Sequence, residues 1–201
     1  MKILVTGFMP FGGEEINPAW EAVKLLPDTI NGAEILKAEL PTAFGKGAEV
    51  LRTCIEAHQP DAVLCVGQAG GRASIAVERV GINWRDARIE DNEGNKPVDE
   101  KIIPEGRDAY FSNLPARAIV ERLQNSGIPA ALSYSAGTYV CNEVLYHLLY
   151  WIDTLYPQMQ GGFIHVPYDP AQAAKMSSPA PSLPIATVSE GLKLALQEIS
   201  Q

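Results

Sequence analysis

Short runs rich in apolar residues recur along the chain and predict the strands of a sheet. They cover residues 2–6, 33–40, 61–67, 128–134 and 161–167. After its first residue, the run at 61–67 is apolar throughout, which is typical of a central parallel strand covered on both faces. Residues 74–84 alternate imperfectly between apolar and polar side chains, which indicates further strands, antiparallel ones, at one edge of the sheet.

Between these runs, apolar positions three and four residues apart predict amphipathic helices. The helices cover residues 47–58, 114–124, 144–155 and 188–199. Asn17 and Pro18 are a typical N-cap and first-turn pair for a helix nearer the N-terminus. Thr187 and Glu190 have the spacing of a capping box and predict the start of the last helix. Together the elements predict one α/β domain over residues 1–201: an α/β/α sandwich with a mostly parallel twisted sheet and some antiparallel edge strands.

Two stretches show neither the helical nor the strand periodicity of apolar residues. Residues 85–104 are polar and rich in turn-forming residues, and so long an irregular segment inside a compact domain is often functional or mobile. Residues 169–184 are rich in proline, serine and alanine, which indicates a surface excursion or a contact between subunits.

Composition and charge exclude several classes of partner and site. The chain has 201 residues, 46% of them hydrophobic, which is enough for one well-buried domain. Its 24 acidic against 16 basic residues give a net charge of −8, so a nucleic acid partner is not expected. No apolar run is long enough to cross a membrane. Three unevenly spaced cysteines do not form a disulfide framework, so a reducing cytoplasm is expected. No pair of residues has zinc-ligand spacing, and no metal site is expected.

Cys141 is the cysteine whose position indicates chemistry. It follows the small, glycine-containing stretch 135–140 and precedes the apolar positions of a helix. Unpaired backbone N–H groups and the helix dipole at such a place lower a thiol pKa and can hold an oxyanion. The alternative is that Cys141 is a small buried residue at the start of a packed helix. Cys54 and Cys65 lie within a helix and a buried strand and are expected in the core.

The three histidines also differ in position. His58 ends a surface helix, and His147 lies six residues past Cys141 on the same helix, where it projects from a different face. His165 lies at the carboxyl end of a strand, the edge at which Cys141 is expected. A junction cysteine and a strand-end histidine form a nucleophile and a general base, although a satisfied core histidine is the alternative for His165 alone.

A base of this kind needs an acceptor that fixes its tautomer. The carboxylates available are Glu78, Asp86, Glu90 and Asp91. Glu78 lies between valines in a strand-like run and is expected to be partly buried, where a carboxylate needs a partner. If Arg79 or another strand's donor is that partner, Glu78 is merely structural, and the pattern of residues alone leaves this open.

Several segments, in this order, match one known family. They are Thr6-Gly7-Phe8, Pro10-Phe11-Gly12-Gly13, Asn17-Pro18, Gly67-Gln68-Ala69-Gly70-Gly71-Arg72, Glu78-Arg79-Val80, Ile82-Asn83, Asp91-Asn92-Glu93-Gly94-Asn95, Ser135-Ala136-Gly137-Thr138-Tyr139-Val140-Cys141-Asn142 and Phe163-Ile164-His165-Val166-Pro167. Along nearly its whole length the chain resembles pyroglutamyl-peptidase type I, the pyrrolidone-carboxylate cysteine peptidases.

The resemblance implies a cytosolic thiol enzyme without a cofactor that removes N-terminal pyroglutamyl residues from peptides and proteins and assembles as a homotetramer. It implies Cys141 as the nucleophile, His165 as the base and Glu78 as the orienting carboxylate. It also implies an oxyanion role for Arg88 and an acidic residue, Asp91, close to the site. The positions implied around the substrate ring are Phe8, Phe11, Gln68, Tyr139 and Val140.

The chain departs from the family pattern in a few places. Tyr139 stands where phenylalanine is common, Gly81 replaces an alanine, and Glu90 stands where a proline is frequent. None of these positions belongs to the implied triad. Two other functions share parts of the pattern: a different cysteine acyl-transfer enzyme, such as an amidase or amidotransferase, and a binding module that retains the pocket without catalysis.

Overall fold

The computed structural model describes residues 1–201 and consists of nine strands and six helices. In chain order they are β1 Lys2–Phe8, α1 Pro18–Lys24, β2 Thr29–Ile30, β3 Ala33–Leu40, α2 Lys46–His58, β4 Ala62–Gln68, β5 Ile75–Glu78, β6 Val80–Ile82, β7 Ala109–Phe111, α3 Ala116–Asn125, β8 Ala130–Ser133, α4 Val140–Thr154, β9 Gln160–Val166, α5 Pro170–Ala173 and α6 Ile185–Ile199. No helix is both long enough and apolar enough to span a membrane.

Seven strands form one mixed sheet in the order β2-β3-β1-β4-β9-β5-β8. Strands β3, β1, β4 and β9 are parallel, β2 is antiparallel at one edge, and β5 is antiparallel to β9. Strand β8 pairs parallel to β5, so these last two strands run opposite to the parallel ones. The predicted mostly parallel sheet with antiparallel edge strands is confirmed. Strands β6 and β7 form a separate two-stranded ribbon.

Helices cover both faces of the sheet, as the apolar strands require. Helices α1, α3 and α6 pack on one face, and α2 and α4 pack on the other, each over its own hydrophobic cluster. The predicted single-domain α/β/α sandwich is confirmed.

The helix ends agree with the sequence-based prediction at α1 and differ from it at α6. Asn17 caps α1 as predicted, because its side chain accepts a hydrogen bond from the Ala19 backbone N–H at 3.1 Å. The predicted capping box at Thr187 is wrong. Helix α6 begins at Ile185, directly after Pro184, whose extended backbone ends the preceding connector two residues earlier. The capping box lies instead at Asp169, in front of the short helix α5, within residues 169–184, for which the sequence predicted a surface excursion or a contact between subunits.

Candidate active site

The side chains of Glu78 and His165 point to the same face of the sheet, the one that α4 covers. In the β5–β9 pair, Glu78 lies opposite Phe163, and His165 lies two residues farther along β9. Residues two apart on a strand share a face, so Glu78 and His165 are diagonal neighbours. Cys141, in the first turn of α4, packs against this face beside Gly67 of β4.

His165 and Glu78 form a direct, buried hydrogen bond. The Nδ1 atom of His165 lies 2.8 Å from Oε1 of Glu78, and both residues are almost wholly excluded from solvent. An ionised carboxylate can only accept, so Nδ1 carries the hydrogen and Nε2 keeps its lone pair. Of the four carboxylates that the sequence left open, Glu78 is the one bonded to His165. Its other partner is Arg72, at 2.9 Å, and not Arg79.

The protonation of the thiol differs from the sequence-based expectation. Burial raises the pKa of Cys141 to about 12, with Cys65 and Glu78 adding to the rise and Arg72 opposing it. The expectation of a lowered pKa is therefore wrong for the resting protein, because loss of hydration outweighs the helix N-terminus. Burial also lowers the pKa of His165, against the opposing effect of Glu78. Both shifts favour a neutral thiol beside a neutral imidazole.

Cys141 and His165 line one cleft of about 720 Å³. Five of the other residues implied by the resemblance also line it: Phe8, Phe11, Gln68, Arg88 and Tyr139. A second cavity of about 610 Å³ lies elsewhere, near the ends of α2 and α4, and is lined by no cysteine or histidine. No three histidine, cysteine or acidic side chains are grouped so that they could hold a metal ion.

Aromatic rings form one wall of the cleft. Tyr139 packs against Phe11 with ring centroids 6.1 Å apart and meets Phe44 edge-on at 5.3 Å. Its hydroxyl donates to the backbone carbonyl of Glu90 at 3.0 Å, which ties residues 85–104 to the start of α4. The two departures at Tyr139 and Glu90 are therefore in contact with each other.

Arg88 and Asp91 have different positions relative to the cleft. Arg88 is exposed at the cleft, and its guanidinium has no hydrogen-bond partner in the protein. Asp91 does not line the cleft. Its carboxylate accepts hydrogen bonds from the backbone N–H groups of Phe44, Glu93 and Asn95, each at 2.8 Å. Burial alone would raise the pKa of Asp91, but these bonds and the Asn95 amide lower it overall.

Val140 is the implied substrate contact that the structure places outside the cleft lining. Its side chain is fully buried in the cluster between α4 and the sheet. Any contact of Val140 with a ligand would therefore have to come from its backbone.

A family model for pyroglutamyl peptidase matches residues 1–201. The chain belongs to this family. It is 55% identical over 197 residues to a pyrrolidone-carboxylate peptidase of Clostridium botulinum, covering 98% of this chain and 92% of the relative. It is 57% identical to a pyrrolidone-carboxylate peptidase of Enterococcus faecalis over 172 residues, or 86% of this chain and 81% of the relative.

Comparison with solved structures leads to the same family. The crystal structure of pyroglutamyl peptidase I from Bacillus amyloliquefaciens matches with a TM-score of 0.95 at 50% identity, covering 99% of this chain and 94% of the other. A variant of pyrrolidone carboxyl peptidase from Pyrococcus furiosus matches with a TM-score of 0.96 at 44% identity, covering 100% and 98%.

Within this family site, sequence reasoning missed two side chains that hold site residues in place. Arg72 binds Glu78, and Gln172 lies 3.4 Å from Gln68, amide nitrogen to carbonyl oxygen. The signal for Arg72 was its place in the turn that follows the apolar strand 61–67. Nothing in the composition of residues 169–184 indicated that Gln172 would contact Gln68.

Proposed function

We propose that this chain is a cysteine exopeptidase that hydrolyses the bond after an N-terminal pyroglutamyl residue of peptides and proteins. The observation that carries the proposal is the buried Glu78–His165 hydrogen bond of 2.8 Å, whose His165 lines, together with Cys141, a cleft with an aromatic wall. A nucleophile, a base and a carboxylate that orients the base are the parts that acyl transfer requires. Membership of the pyroglutamyl peptidase family supports the substrate class.

The protonation states define the first step. His165 Nε2 takes the proton of the Cys141 thiol as the sulfur attacks the pyroglutamyl carbonyl carbon, because the resting pair is neutral. The first-turn N–H groups of α4 have no partners within the helix, and they and the Arg88 guanidinium stabilise the oxyanion.

Collapse of the tetrahedral intermediate breaks the C–N bond. The imidazolium of His165 gives its proton to the leaving amine, and a thioester to Cys141 remains. His165 then takes a proton from water, whose oxygen attacks the thioester carbonyl. Pyroglutamate leaves as the thiol is reprotonated. Glu78 holds His165 in one tautomer and compensates its charge in both steps.

The orientation of Gln68 provides a means of recognising the ring. Gln172 accepts a hydrogen bond from the Asp169 backbone N–H through Oε1 at 3.1 Å, so its Nε2 faces the Glu14 carboxylate at 3.1 Å. The same Nε2 faces the carbonyl oxygen of Gln68 at 3.4 Å. The Gln68 amide nitrogen is thereby left as a donor for the lactam carbonyl. A prolyl residue has no such carbonyl and would leave this donor unpaired.

The test is a panel of fluorogenic pyroglutamyl, prolyl and glutaminyl amides, with wild-type protein and Cys141→Ser. We expect release from the pyroglutamyl amide alone, and no turnover by a folded Cys141→Ser variant. Preferred turnover of the glutaminyl amide would indicate a different acyl-transfer enzyme. No turnover together with slow iodoacetamide labelling of Cys141 would indicate a binding module.

The assembly and compartment belong to the same proposal. The resemblance to the family supports a homotetramer, which light scattering coupled to size exclusion would test by mass. All three cysteines are unpaired, which is consistent with a reducing cytoplasm. A monomer at micromolar concentration would contradict the assembly without affecting the proposed reaction.

A further inference from the structure

Arg72 joins three parts of the site through one guanidinium. Its Nη1 donates to Glu78 Oε1 at 2.9 Å and to the Ser133 hydroxyl at 3.2 Å. Its Nη2 donates to the backbone carbonyl of Ser135 at 2.9 Å. Gly71, with φ of +87°, provides the turn after β4 that a side chain would strain. The fixed fork of an arginine can hold three acceptors at once.

Glu78 needs a partner of positive charge. The carboxylate is fully buried, and its Oε2 has no hydrogen-bond partner. The imidazole of His165 is neutral at rest, so it donates a hydrogen bond without supplying a charge. Arg72 is the one cation within 4 Å of Glu78 in that state. A carboxylate buried away from water depends on its protein partners for charge compensation and for its orientation.

A misdirected Glu78 would not serve His165 in the same way. If its Oε1 turned away from Nδ1, no acceptor would hold the imidazole in the tautomer that keeps the Nε2 lone pair for the Cys141 proton. The hydrogen bond from Arg72 to the Ser135 carbonyl affects the position of Cys141, because residues 135–139 lead directly into the first turn of α4. Arg72 thus connects the acid and the segment that positions the nucleophile.

We propose that Arg72 is a positioning residue that keeps the Glu78 carboxylate directed at His165 Nδ1 while it holds the segment before Cys141 in place. The proposal deepens the proposed function and rests on it. Arg72 also lines the cleft, so direct binding of substrate is the competing role. The two roles differ in kinetics: a positioning residue acts on kcat, whereas a substrate contact of uniform strength acts on KM.

The charge of Arg72 gives a second readout. Arg72 lowers the pKa of His165 and of Cys141, while Glu78 raises both. Cys65 is the remaining titratable group that affects Cys141 from the sheet, and it too raises the thiol pKa. Removal of Arg72 should therefore raise both pKa values. The acidic limb of the kcat/KM profile moves to higher pH, and alkylation of Cys141 slows at any given pH.

The experiment compares Arg72→Met and Arg72→Lys with Arg79→Met. Arg79 directly follows Glu78, but its side chain makes no hydrogen bond and does not line the cleft, so it is a matched control. We expect Arg72→Met to lose about 10- to 100-fold in kcat, as for removal of a hydrogen bond to a charged group, with KM within about twofold. Compared with Arg72→Met, Arg72→Lys should recover part of kcat, and the acidic limb of its kcat/KM profile should lie close to that of the wild type. Arg79→Met should match the wild type.

Three results would overturn the proposal. They are an unchanged kcat and pH profile in Arg72→Met, a rise in KM at unchanged kcat, and an equal loss in Arg79→Met. If Arg72→Met does not fold, Arg72→Lys decides, because lysine keeps the charge but cannot hold three acceptors. A wild-type kcat in that variant would then refute the proposal. The pH dependence of Cys141 alkylation needs no substrate, so it separates a failure of this inference from a failure of the proposed reaction.

Discussion

Gly67 gives the sharpest test of how the sheet positions the nucleophile. A Cβ at residue 67 would lie 2.8 Å from the Cys141 sulfur and 2.8 Å from Cζ of Phe163. Ordinary van der Waals contact begins at 3.4 Å, so Gly67→Ala forces these atoms apart by about 0.6 Å. The sulfur is on a short side chain at a helix start, and the ring is fully buried, so neither can give way freely.

The size of the effect follows from this overlap. Overpacking of a core costs about 1–3 kcal/mol of unfolding free energy. A displacement of about 1 Å at a reacting atom costs about 100-fold in rate, so we expect a loss of about 10- to 100-fold in kcat/KM. The assay is turnover of a fluorogenic pyroglutamyl amide, with thermal unfolding and iodoacetamide titration of Cys141 on the same samples.

Gly161→Ala is the matched control. Its Cβ would lie 2.6 Å from the Ile152 methyl group, a comparable overlap, but at the beginning of β9 and away from the cleft. We expect it to lose stability at the low end of the same range, since the ends of flexible side chains can move, and to keep its kcat. Wild-type kcat/KM in Gly67→Ala, or equal losses of activity in both variants, would refute the reasoning.

Three further predictions concern Glu78, Asp91 and Gln172. Glu78→Gln should lower kcat by about 10²- to 10⁴-fold, because the amide can donate to His165 and favour the wrong tautomer; steady-state kinetics on folded protein measures this. Asp91→Asn should lose about 1–3 kcal/mol of unfolding free energy at pH 7, measured by urea unfolding. Because folding lowers the pKa of Asp91, this difference should be constant above about pH 5 and shrink as the pH falls through the folded pKa. Gln172→Leu should lower kcat/KM for the pyroglutamyl amide about tenfold, and neither this variant nor the wild type should turn over the prolyl amide.

The controls for these predictions come from the same networks. Asp169→Ala breaks the capping box of α5 but leaves the backbone N–H that orients Gln172, so its kcat/KM should stay near the wild type. Equal losses in Gln172→Leu and Asp169→Ala would mean that α5 as a whole, and not the amide, sets the specificity. A Glu78→Gln variant with near-normal kcat would contradict the tautomer argument. A stability difference for Asp91→Asn that grows toward acid pH would contradict the sign of the pKa shift.

The local pattern of apolar and polar residues was enough to predict most elements of the fold. The strand predicted at 33–40 has the observed bounds, and the helix predicted at 47–58 begins one residue early, at Lys46. The two-residue strand β2 was missed because two residues carry no periodicity. The last helix was misplaced because the capping box at Thr187 competed with Pro184, whose fixed φ ends the connector first.

The sequence by itself determined the sandwich, the position of Cys141 in a helix's first turn and the strand that carries His165, because hydrophobic periodicity and turn residues are local properties. Tertiary structure decided which carboxylate meets His165, because the antiparallel register of β5 on β9 makes Glu78 its diagonal neighbour. It also decided the sign of the thiol pKa, since burial comes from distant elements and here outweighs the helix dipole. Arg72 lies 6 residues before Glu78, and Gln172 lies 104 residues after Gln68. Only the folded chain brings each of these pairs into contact.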